Sequence, residues 1–180
     1  MPSITRNGNT ALILASQYGQ PSVIRTLLAH GAEINLNTGT TALLSASGMG
    51  NVVCVQGHVD CVQLLLDNGA DVSLSHPVTG HNPLLIASLM GHTNVVSILL
   101  QHGADARTVT FNGCNSLHLA SIMGHTDVVS ILLRHGADNP LSISSMLGHT
   151  DFVSILLRHG ADTRTVLSSM GALLSCLRVH

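Results

Sequence analysis

The chain repeats one segment of fifteen residues, and this repetition limits the folds open to it more than any other feature. Residues 124–138 read GHTDVVSILLRHGAD and residues 148–162 read GHTDFVSILLRHGAD, identical at fourteen of fifteen positions. A third copy occupies residues 91–105, and more divergent copies occupy 57–71 and 19–33. A segment that recurs along a chain is typical of proteins built from stacked supersecondary units.

Each unit has the pattern of two short helices, which is clearest around the third copy. Asn82 is a preferred N-cap and Pro83 suits the first helical position, so we predict a first helix that ends at Gly91. Thr93 is predicted to cap a second helix, and Gly103 stands where a left-handed C-terminal cap is needed. Helices of about eight to ten residues are too short to be stable alone, so neighbouring units must stack on them.

The composition excludes several classes of function. Only 9% of the residues are charged and the formal net charge is -2, so there is no basic surface for nucleic acid or anionic lipid. The chain has no Lys, which removes phosphate-loop, protein-kinase and Schiff-base chemistry, and it has no GxSxG, HExxH or paired CxxC motif. We therefore expect a protein that is not an enzyme and needs no cofactor.

Membrane insertion is not expected either. No stretch approaches the roughly 18 consecutive apolar residues of a spanning helix, and the first residues lack the pattern of a signal peptide. The four cysteines stand at irregular spacings that form no disulfide framework in a chain of this size. These features favour a soluble protein of the cytoplasm or the nucleus.

The unit closely resembles the ankyrin repeat, whose consensus is Gly-x-Thr-Pro-Leu-His-x-Ala-Ala-x-x-Gly-His followed by Val-Val, Leu-Leu and Gly-Ala. The fourth unit matches it at Ser116-Leu117-His118, Ala120, Gly124-His125, Val128-Val129, Leu132-Leu133 and Gly136-Ala137. The resemblance covers roughly residues 7–165. It implies an all-α fold, an α-solenoid of stacked helix-turn-helix units with short β-hairpin fingers, that binds another protein without catalysis.

We predict one ankyrin domain over residues 1–180, made of five units and a decayed sixth. The predicted units are 7–35, 38–72, 79–105, 112–138, 139–162 and 163–180. The second unit contains an extra heptad, Gly50–Gln56, which nearly duplicates Gly57–Gln63 and either extends a helix or loops out. The fifth unit lacks the nine residues that would form its finger, so the stack either tightens or kinks at Asp138-Asn139.

The resemblance also implies where a partner binds: at the finger tips and on the concave face, especially through the two residues before each Gly-His. The concave candidates are Tyr18, Met49, Leu89, Met90, Ile122, Met123 and Met146. The finger candidates, from fingers near 36–40, 73–80 and 106–113, are Asn37, His76, Thr79, His81, Arg107 and Phe111.

The concave candidates form an almost wholly apolar row, for which two interpretations stay open. Their side chains either pack between adjacent first helices, or form an adaptable groove for the apolar face of a partner helix or an extended peptide. Substituting Met90 and Met123 with Gln distinguishes the two, because only the groove predicts lost binding with an intact fold.

The twelve histidines do not predict a metal site. Most of them recur at equivalent positions of successive units, and stacked helices lie about 10 Å apart. Zinc ligands must lie about 2 Å from one ion, so a row of equivalent histidines cannot supply them. We expect no bound metal.

Three alternatives to an interaction module stay open. The chain is a non-functional or incomplete fragment of a longer array, or it is the cytoplasmic ankyrin portion of a membrane protein. A third alternative is that it self-associates through apolar ends, because residues 11–15 read ALILA and the C-terminal residues include Leu173, Leu174 and Leu177.

Overall fold

The computed structural model describes residues 10–48 and 55–137, which form short helices joined by turns. The candidates Met49 and Met146, and the units predicted at 139–162 and 163–180, lie outside these residues. The helices within the described ranges are α1 (Ala11–Gln17), α2 (Pro21–Ala29), α3 (Ala42–Gly48), α4 (Val55–Asp67), α5 (Pro83–Met90), α6 (Thr93–Gln101), α7 (Ser116–Met123) and α8 (Thr126–Arg134).

The eight helices form two layers. The odd-numbered helices, here called the first helices, each contact the next odd-numbered one, and the even-numbered second helices do the same in the other layer. Each first helix also packs against the second helix that follows it. The all-α solenoid expected from the resemblance is therefore confirmed. Each of the first four predicted units contributes one helix to each layer, whereas the unit boundaries themselves stay predictions.

Every described first helix begins with a side-chain cap. The Asn82 side chain accepts the N–H of Leu85 at 2.8 Å, with Pro83 at the first helical position as predicted. Equivalent caps are supplied by Thr10, Thr41 and Asn115. A polar residue at this position satisfies an N–H that the helix leaves without a partner.

The prediction that Thr93 caps α6 is wrong. The N-cap of α6 is His92, and no side chain caps this end. Thr93 is already inside the helix, and its hydroxyl lies 3.5 Å from the carbonyl oxygen of Gly91, where it cannot accept an N–H of the first turn. The other end matches its prediction, because Gly103 has φ +85° and the N–H of Ala104 reaches back to the carbonyl of Leu99.

Helix α4 is longer than its counterparts, and its first two residues come from the extra heptad. By alignment of the repeats, the residue equivalent to Thr93 at the start of α6 is Val59, but α4 begins at Val55. Val55 and Gln56 therefore lengthen the helix, as the helical interpretation of the heptad predicts. Residues 49–54 lie outside the described part of the chain.

The core lies between the two layers and is aliphatic. Each second helix turns its repeated apolar residues toward the first helices, and the most completely buried side chains include Ile24, Leu43, Val62, Leu65, Leu84, Leu99, Leu117 and Leu132. One continuous cluster links all eight helices. Because these residues recur in every unit, the repeat itself supplies the core.

The fingers are tighter than the β-hairpins that the resemblance implies. Within the described residues, strand pairing in the fingers is limited to one isolated antiparallel bridge, between Val109 and Asn115. The second finger closes instead through backbone hydrogen bonds between His76 and His81 and between Gly80 and His76, both 2.9 Å long. The fingers are therefore turns that project beside the starts of the first helices.

Candidate binding surface

The apolar pair at the end of each first helix divides between the core and the solvent. Met90 and Met123, the second members of their pairs, are 50% and 54% exposed. Leu89 and Ile122, the first members, are half-buried, and Leu89 packs beside Leu85, Cys114 and Leu119. The first member of each pair is therefore packed, as one interpretation of the row expects. The second member is exposed, as the groove interpretation requires.

In the first unit, the same row is continued by an aromatic residue. Tyr18 forms the C-cap of α1 and is 65% exposed. It occupies the position equivalent to Met90 and Met123, so three described units present one large apolar side chain at the same place. We call Tyr18, Met90 and Met123 the helix-end row.

The polar candidates in the fingers mainly hold the fingers in shape. Asn37 accepts the N–H of Gly39 and donates to the carbonyl of Ser75 in the next finger, at 3.1 and 3.4 Å. The Nδ1 atom of His76 accepts the N–H groups of Val78 and Thr79. Thr79 in turn accepts the N–H of His81. The side chains of Asn37, His76 and Thr79 are therefore explained by the fingers' own hydrogen bonds, in which His81 takes part through its backbone N–H.

The other two finger candidates, Arg107 and Phe111, are exposed. The Arg107 Nε group lies 3.5 Å from the carbonyl oxygen of Gly136, at the end of the unit that follows this finger. Phe111 is 71% exposed, and its backbone and ring lie against the backbone of buried Gly80 in the neighbouring finger. A Cβ at Gly80 would meet Phe111 at about 3.0 Å, so this glycine lets the two fingers approach.

Besides Phe111, the fingers carry two exposed valines that the sequence analysis did not single out. Val78 is 76% exposed in the second finger, and Val109 is also exposed in the third. The sequence placed both valines in predicted fingers. It could not show that their side chains are exposed, because exposure depends on the fold. We call Val78, Val109 and Phe111 the finger row.

The floor between the two rows carries no formal charge. No Asp, Glu, Lys or Arg occurs in α1, α3, α5 or α7. His118 in α7 is half-buried and forms a capping box with Asn115, and burial lowers the pKa of its imidazole. The histidine is therefore predominantly neutral near pH 7, so the first helices present no formal charge between the two rows.

Histidines connect neighbouring units behind the helix-end row. The Nε2 atom of His58 lies 3.0 Å from the carbonyl oxygen of Gln17, and that of His125 lies 3.0 Å from the carbonyl of Leu89. His92 makes the equivalent contact with the backbone of Gly48. These carbonyls belong to the last turns of first helices, where no partner within the helix exists. The histidines thus hold the stack together, and among the described residues no group of three His, Cys, Asp or Glu side chains could hold a metal ion.

The repeat pattern and the layered stack agree with a comparison to known families. The family model of ankyrin repeats, which contains three copies of the unit, matches residues 2–74 and 52–140. The two matches together span well over half of the chain. The chain belongs to the ankyrin repeat family. Ankyrin repeats are generally protein–protein interaction modules, and the family is typically non-catalytic.

In this ankyrin repeat protein, the two apolar rows lie where a partner can reach them. The fingers stand beside the starts of the first helices, and the helix-end row stands at their ends. Within the described ranges, no helix combines the length and the apolarity that crossing a membrane requires.

Proposed function

We propose that this ankyrin repeat protein is a non-catalytic module that binds a protein partner between its finger row and its helix-end row. One observation carries the proposal. Of the seven large hydrophobic residues that are exposed in the described part of the chain, six lie in these two rows, and the seventh is Val23 in α2. Exposed apolar side chains that cluster on one side of a protein mark an interaction surface more often than scattered ones do.

Affinity capture with matched variants tests this proposal. The purified chain, a Met90→Gln/Met123→Gln variant and a Val23→Gln control are each immobilised and exposed to lysate. Captured proteins are then quantified by mass spectrometry. We expect a partner that the wild type and the control retain equally and that the double variant loses, while circular dichroism shows that all three are folded. The proposal would be contradicted by a partner whose capture falls as much with Val23→Gln as with the double variant.

Self-association through apolar ends is a second candidate, and it gives a different result. Val23 is the only large hydrophobic residue exposed in the second helices of the described ranges, and it lies at the N-terminal end of the stack. Light scattering at increasing concentration measures the oligomeric state. A dimer that Val23→Gln abolishes and Met90→Gln/Met123→Gln preserves would favour self-association.

We propose a cytoplasmic or nuclear location, which the sparse and irregular cysteines support. Cys61 is a free thiol buried in α4, and burial raises its pKa to about 12, so it is unreactive. Cys114 is buried beside Leu85 and Leu119, and its oxidation state in cells tests the location. Alkylation of the protein in cells, followed by mass spectrometry of the Cys114 peptide, measures that state: a reduced Cys114 supports the proposed location, and an oxidised one contradicts it.

A further inference from the structure

We propose that the junction between the second and third units is an acid-sensitive joint, which loosens when His92 is protonated and does so before the equivalent junctions on either side. This joint is independent of the binding function proposed above, because it needs no partner. Three features of the described residues lead to it: the contacts around His92, the residue two positions after it and the cavity beside its side chain.

His92 lies in the turn between α5 and α6 and connects the third unit to the second. Its side chain bonds to the backbone of Gly48, the last residue of α3. His58 and His125 make the corresponding contacts in the neighbouring units, at 3.0 Å. His92 is half-buried, so an imidazolium ion there loses part of its hydration while the junction is closed. Protonation therefore favours a loosened junction, in which water reaches the whole ring.

Two further imidazoles lie on either side of His92 and oppose its protonation. The ring of His125 lies against Gly91, where an added Cβ would meet it at 2.6 Å, and His58 stands in the preceding unit. Burial lowers the pKa of His92 most, and the hydrogen bond to Gly48 opposes this effect. The charges of His58 and His125 lower that pKa further. The closed junction therefore binds a proton more weakly than a loosened one, and its stability falls as the pH drops below 6.5.

The third unit has an amide where the second and fourth units have an acid. Asp60 and Asp127 stand two positions after the Gly-His histidines of those units. His92 is followed instead by Asn94, and α6 has no acid in its first turn. The missing carboxylate and the positive end of the helix dipole both disfavour an imidazolium at this N-cap. The closed third unit therefore tolerates a charge on its histidine least.

The helices around His92 carry their other charges away from it. Within the described part of the chain, α3, α5 and α6 have no Asp, Glu, Lys, Arg or His. The remaining charged or imidazole side chains of α4, α7 and α8 are Asp67, His118 and Arg134. Asp67 and Arg134 end their helices and His118 lies in the first turn of α7, so all three are at the opposite end of the stack from the Gly-His turns. Residues 49–54 contain none of these residue types.

A cavity of about 320 Å³ opens at this junction, beside His92. Its walls include Ala46, His58 and Val59 of the second unit and His92 and Asn94 of the third. A space this large and partly polar can hold several waters. It gives protons a route to the ring, and it leaves the turn around His92 with fewer packing contacts to lose. The joint is therefore able to loosen while the helices stay formed.

A second buried histidine responds to acid but acts elsewhere. Burial also lowers the pKa of His118, whose ring bonds to Asn115, the N-cap of its own helix. Its protonation therefore affects the start of α7, and it leaves the contacts between the Gly-His turns and the preceding units unchanged. A test of the joint compares those contacts alone.

Hydrogen exchange followed by mass spectrometry tests the joint on the full chain, at about pH 7.5 and pH 5.5 with correction for the pH dependence of intrinsic exchange. We expect the end of α3 and the start of α6 to lose protection several-fold in acid. The corresponding ends of α1 and α4, and of α5 and α8, should lose less. His92→Gln should abolish the extra loss, because glutamine keeps a donor for the Gly48 carbonyl and does not titrate.

Two matched variants change the charge beside the histidine. Asn94→Asp, at an exposed position, should reduce the acid-induced loss at the joint, because a nearby carboxylate favours the imidazolium. Asp127→Asn is its reciprocal and should give the junction between the third and fourth units a similar loss. NMR titration of ¹³C-labelled histidine rings, with His92 assigned through His92→Gln, should show that Asn94→Asp raises the pKa of His92.

Equal loss of protection at all three junctions overturns the proposal, as does a loss at the joint that persists in His92→Gln. An unchanged titration of His92 in Asn94→Asp also overturns it, whatever that variant does to folding stability. Selective loss at the joint that both His92→Gln and Asn94→Asp reduce supports it.

Discussion

At the scale of single residues, one serine per unit shows how equivalent positions differ in their hydrogen bonds. Ser16 and Ser47 are buried, and their hydroxyls donate to carbonyls one turn earlier, at 2.8 and 2.7 Å. Ser88 and Ser121 occupy the equivalent positions and are just as buried, but their hydroxyls have no hydrogen-bond partner. A buried hydroxyl without a partner costs about 1–3 kcal/mol.

Replacing these two serines should therefore stabilise the protein. We expect Ser88→Ala and Ser121→Ala each to raise the free energy of unfolding by about 0.5–1.5 kcal/mol, because alanine removes the unsatisfied hydroxyl and favours the helix. Ser47→Ala is the matched control, which loses a hydrogen bond and should gain nothing. Urea denaturation measures all three, and equal changes in all three variants would show that the hydroxyls of Ser88 and Ser121 do have partners.

The buried histidines predict how stability depends on pH. Burial lowers the pKa of both His92 and His118, and the nearby His58 and His125 lower that of His92 further, against an opposing hydrogen bond to Gly48. Below the unfolded value of 6.5, the unfolded chain therefore binds more protons than the folded one, so stability falls as the pH falls. The melting temperature should be lower at about pH 5.5 than at about pH 7.5. A His92→Gln variant should show a smaller difference, and an unchanged difference would argue against a role for His92.

At the scale of helices, the sequence predicted where the helices lie more reliably than it predicted which residues cap them. The pattern of Asn82, Pro83 and Gly91 predicted α5 and its cap correctly, because these residues act through their own backbone neighbours. Thr93 was assigned to a cap by the same reasoning, and wrongly. His92 takes the capping position, so the contact of the Gly-His histidine with the preceding unit helps set where the second helix begins.

Alanine substitutions at the two positions test this difference. Asn82→Ala removes an observed cap and should lower the free energy of unfolding by about 1 kcal/mol. Thr93→Ala removes no cap and should change it by less than about 0.5 kcal/mol. Both values come from chemical denaturation of the full chain. A cost at Thr93 equal to the cost at Asn82 would restore the capping role of Thr93.

The exposure of the concave residues shows where sequence reasoning reaches its limit. The repeat indicated that the apolar pair before each Gly-His is special, but the pattern could not separate Leu89 from Met90. The difference in burial between them depends on the neighbouring unit, because Leu89 packs beside Leu119 and Cys114 of the next unit whereas Met90 is exposed. Contacts between units follow from the stacked fold, and they are absent from any single unit.

At the scale of the whole molecule, each unit packs against its neighbours alone, so damage should stay local. Leu132 is fully buried in α8. Leu132→Ala should cost about 2–5 kcal/mol, and half-buried Leu133→Ala should cost less. Hydrogen exchange followed by mass spectrometry should show that α7 and α8 lose protection before α1 and α2 do. Uniform loss of protection across all units would contradict a stack whose coupling runs between neighbours.

The central claim is that the two apolar rows receive one protein partner. Site-specific photo-crosslinking tests it most directly, with a photoreactive phenylalanine analogue placed in turn at Met90, Met123, Phe111 and, as the control, Val23. We predict that the first three positions crosslink to the same captured protein and that Val23 does not. Crosslinking at Val23 alone, or equal crosslinking at all four positions, would contradict the claim.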